Sequence, residues 1–387
     1  PWIILPTFLF ALFVVPVIWI IFSLFGNYSD NWVHIYNYTL SGYIYNTVLI
    51  IIGTSIGTLI IGVGSAWLVT TYNFTGKKFL EWALLLPFAV PPYILAYTFT
   101  GLFDSYGTAN NLVRDLFSLP NEFIFFPKLR NVYGASIVFS FTLYPYVYLL
   151  TRVAFRDQAS SVEEVARSLG ASSYKRLFKI NFPLARPAIA AGVAIVMMET
   201  VNDFGTVDYF AVQTLTTGIF SVWLQSSNVG GAAQLACVVL AMVILLVSLE
   251  KLSRRKMQFF NMSSKHNKVT KIKLKGFSNL LAFSCCFAPF LLGFALPLIV
   301  LAEHSMSNPK LFLDRALIDA TWNTVFTGTI AAAFTVLLSI FMVFGMKSIK
   351  GRLPKIIMPI TTIGYAVPGA VLGVGILIPV SYTHLRA

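Results

Sequence analysis

The stretch EEVARSLGASSYKRLFKINFP, from Glu163 to Pro183, is a charged segment within a chain that is otherwise very apolar. One apolar stripe with the i, i+3, i+4, i+7 spacing of a helix face is formed by Val162, Val165, Ala166 and Leu169. Gly170 follows this stripe directly, at a position where helix C-caps favour glycine. The first part of the segment is therefore predicted to be a short helix that ends at a glycine turn.

The second part of the segment predicts another short helix. Ser172 or Ser173 is suited to cap its start, and the helix carries three basic residues, Lys175, Arg176 and Lys179. Pro183 is expected to end it, and Pro187 to lie in the first turn of the next helix. The residues alone leave two interpretations open. The hairpin rests on lipid headgroups, or it docks a cytosolic protein.

The composition outside this segment indicates a membrane protein. Of 387 residues, 57% are hydrophobic and 11% are charged, against about 45–50% and 25% in soluble domains. Long apolar runs recur, and each is long enough to cross a hydrocarbon core as a helix. Nine transmembrane helices are predicted, at 2–25, 45–71, 80–103, 132–155, 186–209, 229–250, 277–302, 321–346 and 355–380.

The distribution of Lys and Arg predicts the orientation of these helices. With the N-terminus in the cytoplasm, the cytoplasmic loops hold 22 basic residues and the outer loops hold five. This asymmetry follows the positive-inside rule. We therefore expect a multi-pass protein of a bacterial-type plasma (inner) membrane with a cytoplasmic N-terminus. The net charge of +13 reflects this topology and gives little support to nucleic-acid binding.

Two tripeptides recur at a constant offset of 277 residues and indicate an internal repeat. Asn46-Thr47-Val48 returns as Asn323-Thr324-Val325, and Ala89-Val90-Pro91 returns as Ala366-Val367-Pro368. Six spans separate the copies, so the repeats are parallel. The predicted fold is an all-α bundle of two six-helix units. The predicted parts are a first unit at 1–250 with a cytoplasmic loop at 156–185, a basic linker at 251–276, and an incomplete second unit of three helices at 277–387.

The segment from Glu163 to Pro183 resembles the EAA loop of permease subunits of binding-protein-dependent ABC importers. That loop reads Glu-Ala-Ala, three residues, Gly, nine residues, Ile and, after a short gap, Leu-Pro. The matching positions are Glu164-Val165-Ala166, Gly170, Ile180 and Phe182-Pro183. Val165 and Phe182 depart from the pattern by apolar replacements. The resemblance implies a type I importer permease fold whose second repeat is truncated, because the counterpart of Glu164 would fall at 441.

The resemblance also implies partners and a cargo. The loop would fit a groove in one of two cytosolic ATP-binding subunits, and a second loop near position 441 would serve the other. An external solute-binding protein would deliver the solute. The residues implied to contact the ATP-binding subunits are Glu163, Glu164, Ala166, Arg167, Gly170, Lys175, Ile180 and Pro183. The stretch from Met198 to Gln225 is similar to ferric-iron-type permeases, so iron is the favoured solute. Thiamine, polyamine or phosphonate permeases of similar build remain alternatives.

The chain contains few of the motifs that would predict chemistry of its own. It lacks a G-x-x-x-x-G-K-[ST] phosphate loop, so ATP hydrolysis is expected in a separate subunit and the chain is not predicted to be an enzyme. Its four histidines are scattered, and its cysteines, Cys237, Cys285 and Cys286, fall in predicted spans. No cofactor and no metal site are predicted. A membrane-embedded enzyme would need a polar cluster that the sequence lacks.

Two acidic residues lie one helical turn apart in the fifth predicted span. At 1.5 Å per residue, Glu199 lies roughly 20 Å along the helix from Arg186, and Asp203 lies nearer the outer interface. Carboxylates within a span usually face a bundle interior or a wet cavity. We therefore predict that Glu199 and Asp203 line a translocation path for a cation, although the pair could instead bond to loop backbone. A gradient-driven secondary transporter, with Glu199 as its proton or sodium site, is the rival class.

Overall fold

A computed structural model describes residues 4–23, 30–120, 122–157, 166, 168–255, 272–348, 357 and 367–384. Within these residues the chain is helical nearly throughout, which confirms the predicted all-α class. The α-helices are α1 Ile4–Ser23, α2 Asp30–His34, α3 Leu40–Thr71, α4 Lys77–Ala83, α5 Pro92–Phe103, α6 Thr108–Phe117, α7 Val132–Asp157, α8 Ser173–Arg176, α9 Phe182–Asn202, α10 Gly205–Tyr209, α11 Leu215–Phe220, α12 Val229–Arg255, α13 Gly276–Phe290, α14 Leu296–Ser307, α15 Arg315–Ser348 and α16 Gly369–His384.

Shorter turns and one small sheet complete the described structure. Turns of 3-10 helix cover Leu86–Ala89 and Pro309–Leu313, and π-helical turns cover Ile35–Thr39, Leu177–Asn181, Ser221–Gln225 and Leu291–Ala295. Strand β1 (Tyr72–Asn73) pairs in parallel with β2 (Ile272–Lys273). The sheet thus joins the loop between α3 and α4 to the end of the predicted linker.

Among the residues that the structure describes, six helical segments are long and apolar enough to cross a membrane. They are Trp32–Thr71, Val132–Asp157, Leu177–Asn202, Val229–Leu252, Gly276–Ser307 and Arg315–Lys347. The predicted span at 2–25 corresponds to α1. Of the predicted span at 355–380, only residue 357 and the residues from 367 onward are described, and α16 covers its end.

The predicted span at 80–103 is not one straight helix. The chain is helical over Lys77–Ala89 and again from Pro92, and the two parts meet at an angle of 96°. Val90 between them is extended, with φ −104° and ψ 109°. Proline disfavours helical backbone in the preceding residue and has no N–H to donate. The pair Pro91-Pro92 therefore breaks this span in the middle of its apolar run.

Small residues allow α3 and α7 to pack closely. A side-chain carbon added at Gly62 would lie 2.8 Å from Val147 Cβ and 3.0 Å from the Tyr144 carbonyl oxygen. Gly53 and Gly57 similarly face Ser136 and Ser140 of α7. α9 then packs on both helices. This arrangement places α7 at the centre of the helices that surround the candidate site.

The start of α9 differs from the predicted boundaries. Pro183 does not end a helix, because it lies in the first turn of α9, and Pro187 lies inside that helix. The physical reason is the π-helical turn at Leu177–Asn181, in which the Phe182 N–H donates to the Leu177 carbonyl. This wider hydrogen-bond spacing lets the chain enter α9 at a point where the missing N–H of Pro183 is tolerated.

The described chain forms two compact units. One comprises Tyr36–Thr217 and Ala241–Leu298, and the other comprises Pro1–Ile35, Gly218–Leu240 and Ile299–Ala387. In the first of these units, α13 packs against α3 and α4, and the Thr75 N–H donates to Asn279 Oδ1 at 2.9 Å. In the other unit, α1 contacts α15 and α16. The division into repeats at 1–250 and 277–387 stays a prediction.

Candidate functional site

The candidate site is a cavity of about 400 Å³ at the break in the third predicted span. Residues from three parts of the same compact unit line it. They are the broken segment Pro87–Pro92, one face of α7 and the C-terminal end of α9, and the latter two contribute Phe139, Thr142, Leu143, Tyr146, Glu199, Asn202, Asp203 and Phe204. The cavity therefore brings together the two predicted acids and a helix break that the sequence reading did not detect.

Glu199 lies in the last turn of α9 and faces α7. The Tyr146 hydroxyl is 3.5 Å from Glu199 Oε1, and the Tyr146 ring packs edge-on against Phe88 with 4.6 Å between ring centroids. Phe88 belongs to the broken segment. Glu199 is thus positioned at the point where α7, α9 and the break converge.

Asp203 is the first residue after α9 and caps its end. Its backbone N–H donates to the Glu199 carbonyl at 3.1 Å, and its Oδ1 accepts the Thr206 N–H at 2.8 Å. The loop-backbone bond foreseen as an alternative is present, and the carboxyl also lines the cavity.

The polar groups around the cavity are mainly oxygen acceptors. Asn202 Oδ1 is a buried atom that has no hydrogen-bond partner among the described residues. The three prolines of the segment Pro87–Pro92 have no N–H donors, and the carbonyls of Pro87 and Pro91 accept backbone N–H groups of the chain itself. No lysine, arginine or histidine occurs among the described residues that line the cavity. The described lining is therefore acidic.

The acids do not amount to a resident metal site. The described residues contain no cluster of three or more His, Cys, Asp or Glu side chains able to hold a metal ion. Glu199 and Asp203 supply two carboxylates. Two carboxylates are fewer ligands than a resident metal ion usually takes in proteins.

The loop beyond the cavity is fastened to the start of α3 by the repeated Asn-Thr-Val motif. Thr47 Oγ1 accepts the Leu215 N–H at 3.0 Å, and Asn46 Nδ2 donates to the Gln213 carbonyl at 2.8 Å. The Thr216 hydroxyl donates to the Val201 carbonyl of α9 at 2.7 Å. The repeat signal therefore marks residues that hold the loop leaving the cavity, a role that the repeat alone did not reveal.

The predicted coupling loop is described in part. Glu163, Glu164 and Arg167 lie outside the described residues, and Ala166 is buried. Gly170 has φ +74°, and the Ala171 N–H donates to the Ala166 carbonyl at 3.0 Å. This six-to-one bond is that of a Schellman C-cap, so the helix end predicted at Gly170 is confirmed.

The second half of the loop presents one basic residue and buries another. Ser172 accepts the Lys175 N–H at 3.4 Å, so Ser172 is the capping serine. Lys175 is exposed and Arg176 is buried. Ile180 and Pro183 are half-buried within the helical run that continues into α9. The loop therefore leads directly into the helix that carries Glu199.

With this geometry established, a family model identifies the class of protein. The model described as "Binding-protein-dependent transport system inner membrane component" matches residues 58–259. That range covers more than half of the chain and includes the cavity, the loop and α9. The chain belongs to this family of multi-pass membrane proteins.

Curated relatives differ in the solute named for them. The chain is 24% identical over 338 residues to the Fe(3+)-transport system permease protein FbpB 2 of Haemophilus influenzae, and the match covers 86% of this chain and 62% of that protein. It is 27% identical over 209 residues to the sulfate permease CysT of Escherichia coli, covering 52% and 72%. It is 28% identical over 206 residues to the molybdenum permease ModB of the same species, covering 50% and 86%.

A solved structure shares the fold. The chain resembles a bacterial ABC transporter involved in the import of the acidic polysaccharide alginate, with a TM-score of 0.53 and 18% sequence identity. The match covers 66% of this chain and 95% of the other. The fold is therefore that of type I ABC importer permeases, as predicted.

Proposed function

We propose that this chain is a transmembrane permease subunit of an ATP-driven importer, and that its cargo is ferric iron delivered by an external solute-binding protein. Family membership supports the permease role. A second crystal structure of the alginate transporter contains a solute-bound periplasmic protein, which supports a partner of that kind here. ATP hydrolysis would occur in two cytosolic subunits.

The acidic cavity carries the proposal of a cation as cargo. Glu199, Asn202 and Asp203 line a space in which none of the described lining residues is Lys, Arg or His. Carboxylate and carbonyl oxygens are hard ligands, and hard ligands suit hard cations such as Fe³⁺. The similarity to FbpB 2 over most of the chain favours iron among the possible cations.

The same cavity argues against the oxyanions named for the shorter matches. Sulfate and molybdate carry negative charge, and oxyanion recognition uses N–H donors, Arg or Lys. Two carboxylates beside the path would repel such an anion, most strongly where water is excluded. The solutes of CysT and ModB are therefore disfavoured for this chain, although those proteins share its family.

The coupling loop completes the proposed mechanism. Glu163, Glu164, Ala166, Arg167, Gly170, Lys175, Ile180 and Pro183 would contact the ATP-binding subunits. Nucleotide binding would pull this loop, and the loop would move α7 and α9 because it connects them. Movement of these two helices would change access to Glu199 and Asp203. The N-terminus would lie in the cytoplasm, as the basic loops require.

An uptake assay with a matched pair of variants tests the proposal. The full-length protein would be reconstituted in vesicles with the ATP-binding subunit and binding protein encoded beside it, and uptake of radioactive ferric iron would be measured. We expect ATP-dependent uptake by the wild type and at least a tenfold loss for Glu199→Gln. Glutamine keeps the size of the side chain and removes its charge.

The control is Glu303→Gln, which changes an exposed acid at the end of α14 and should retain wild-type uptake. Sulfate and molybdate serve as competing solutes. Uptake of either oxyanion in place of iron would refute the proposed cargo. Uptake driven by an ion gradient without ATP would refute the importer class and favour a secondary transporter.

A further inference from the structure

Glu81 of α4 is contacted by three side chains of α7. Arg152 Nη2 lies 2.5 Å from Glu81 Oε1, and Arg156 pairs with the same oxygen. The Tyr148 hydroxyl donates to the Glu81 carbonyl at 2.7 Å. Tyr148, Arg152 and Arg156 are spaced by four residues, so they form one stripe along α7. A single residue of α4 therefore holds one face of α7.

The Tyr148 hydrogen bond follows from the way α4 ends, and the ion pairs follow from charge and burial. A helix terminus leaves its last carbonyls without helical partners. The Leu85 N–H donates to the Trp82 carbonyl at 2.9 Å, and Tyr148 supplies the donor for Glu81. The side chains of Glu81 and Arg152 are each only 18% exposed, so solvent screens this ion pair less than an exposed one. Arg152 and Arg156 would repel each other without the carboxylate between them.

The two tied helices both reach the cavity. α4 continues through the 3-10 turn Leu86–Ala89 into the broken segment, and α7 contributes Thr142 and Tyr146 to the lining. The contact between Phe88 and Tyr146 ties them a second time at the cavity itself. α7 ends at Asp157, the residue after Arg156, where the coupling loop begins.

We infer that Glu81 is a positioning residue that transmits movement of the coupling loop to the broken segment lining the cavity. This inference rests on the proposed function, because the loop moves only if a nucleotide-hydrolysing partner binds it. Through Glu81, a shift at the cytoplasmic end of α7 carries α4 and the segment Pro87–Pro92 with it. Without the carboxylate, only the Tyr148 hydrogen bond and the Phe88–Tyr146 ring contact join α7 to α4 and the broken segment, so less of the movement of α7 reaches that segment.

A cysteine in the cavity tests whether movement arrives there. Ala89 is exposed and lines the cavity, so Ala89→Cys would be introduced after Cys237, Cys285 and Cys286 are replaced by alanine. The rate of alkylation by N-ethylmaleimide would be measured with and without the ATP-binding subunit and ATP. We expect the subunit with ATP to change this rate at least fivefold, and less than twofold when Glu81→Gln is added.

Two further variants keep the test decisive if Glu81→Gln does not fold. Exchanging the charges with Glu81→Arg and Arg152→Glu should restore the response, since the pair is reformed in reverse. Tyr148→Phe removes one hydroxyl without altering charge and should partly reduce the change in alkylation rate. Glu303→Gln should leave it unchanged. A wild-type response in Glu81→Gln, or none in the unaltered protein, would overturn the inference.

The failures of the two proposals differ in what is observed. If no ATP-binding subunit co-purifies with the wild type, the importer proposal fails and the inference fails with it. If the subunit binds and iron is taken up, yet Glu81→Gln responds as the wild type does, only the inference is overturned.

Discussion

Gly62 shows how one residue sets the distance between two helices. It lies on α3 at the contact with α7, where any side chain would meet Val147 and the backbone of Tyr144. Gly64, two residues further along α3, has open space around it. Glycines within an apolar span favour close helix packing, and the second predicted span contains Gly53, Gly57, Gly62 and Gly64. That prediction holds for Gly53, Gly57 and Gly62 and is wrong for Gly64, because a helix turns 200° over two residues.

We expect Gly62→Ala to destabilise the protein and Gly64→Ala to leave it as stable or slightly more so. Overpacking costs about 1–3 kcal/mol, while alanine in an open helical position gains about 0.4–1 kcal/mol. The measurement is the temperature at which each purified variant loses its monodisperse peak in size-exclusion chromatography. Equal midpoints for the two variants would contradict the packing described for α3 and α7.

Single charges were predicted from the sequence with uneven success. Glu199 and Asp203 were found because acids are rare inside apolar spans, and both line the cavity. Glu81 was missed because its partners lie 67 to 75 residues away along the chain. The four-residue spacing of Tyr148, Arg152 and Arg156 was a signal for a polar stripe on α7. Nothing in the sequence identified the acid that this stripe faces.

At the scale of elements, most of the helices follow from apolar length and one feature follows from proline. Length and hydropathy predict α3, α7, α9, α12, α13 and α15, since each must satisfy its backbone within the bilayer. The bend at Val90 was not predicted, although the Pro91-Pro92 pair is the signal for it. Non-helical backbone, such as a span interrupted by prolines, is tolerated at membrane depth where it lines a cavity. The proline pair and the two acids, Glu199 and Asp203, therefore both mark the residues that line the cavity.

The coupling loop offers a test at this scale, because its glycine turn has no steric obstacle. A side chain at Gly170 would have nothing within 4 Å, so its cost comes from the left-handed backbone alone, about 1–2 kcal/mol for alanine. We expect Gly170→Ala to weaken binding of the ATP-binding subunit about fivefold or more. Gly170→Asn should weaken it less, since asparagine tolerates this conformation.

Binding would be measured by titrating the labelled ATP-binding subunit onto each variant in nanodiscs. The comparison of alanine with asparagine is the control, because asparagine is the larger side chain. Weaker binding by asparagine than by alanine would show that size, and not backbone conformation, governs the contact.

At the scale of the whole molecule, the distribution of basic residues predicts which loops face the cytoplasm. Lys78 lies just after the turn between α3 and α4, and Lys128 lies in the loop before α7. Both lysines are exposed. The positive-inside rule places Lys78 in the cytoplasm and Lys128 outside. The loops carrying these two residues frame the broken span and α7, so the orientation of the cavity depends on the same assignment.

We expect a membrane-impermeant maleimide, added to intact cells, to label Lys128→Cys and not Lys78→Cys when the native cysteines are replaced. Inside-out vesicles should give the opposite pattern. Detergent-solubilised protein, in which both positions should react, controls for reactivity. Labelling of Lys78→Cys from outside would reverse the predicted topology and would place the coupling loop on the wrong side for an ATP-binding partner.

The pairing of β1 with β2 has a consequence for how this protein can change over time. The β1–β2 pair and the hydrogen bond between Thr75 and Asn279 hold the start of α13 against the loop between α3 and α4. These contacts do not involve the residues that precede β2. Doubling the length of a loop adds only about 0.6 kcal/mol to the free energy of closing it. The residues between α12 and β2 are therefore free to lengthen, shorten or drift during evolution. Even a split of the gene at that point, yielding two polypeptides, would leave α13 a docking place on the first one.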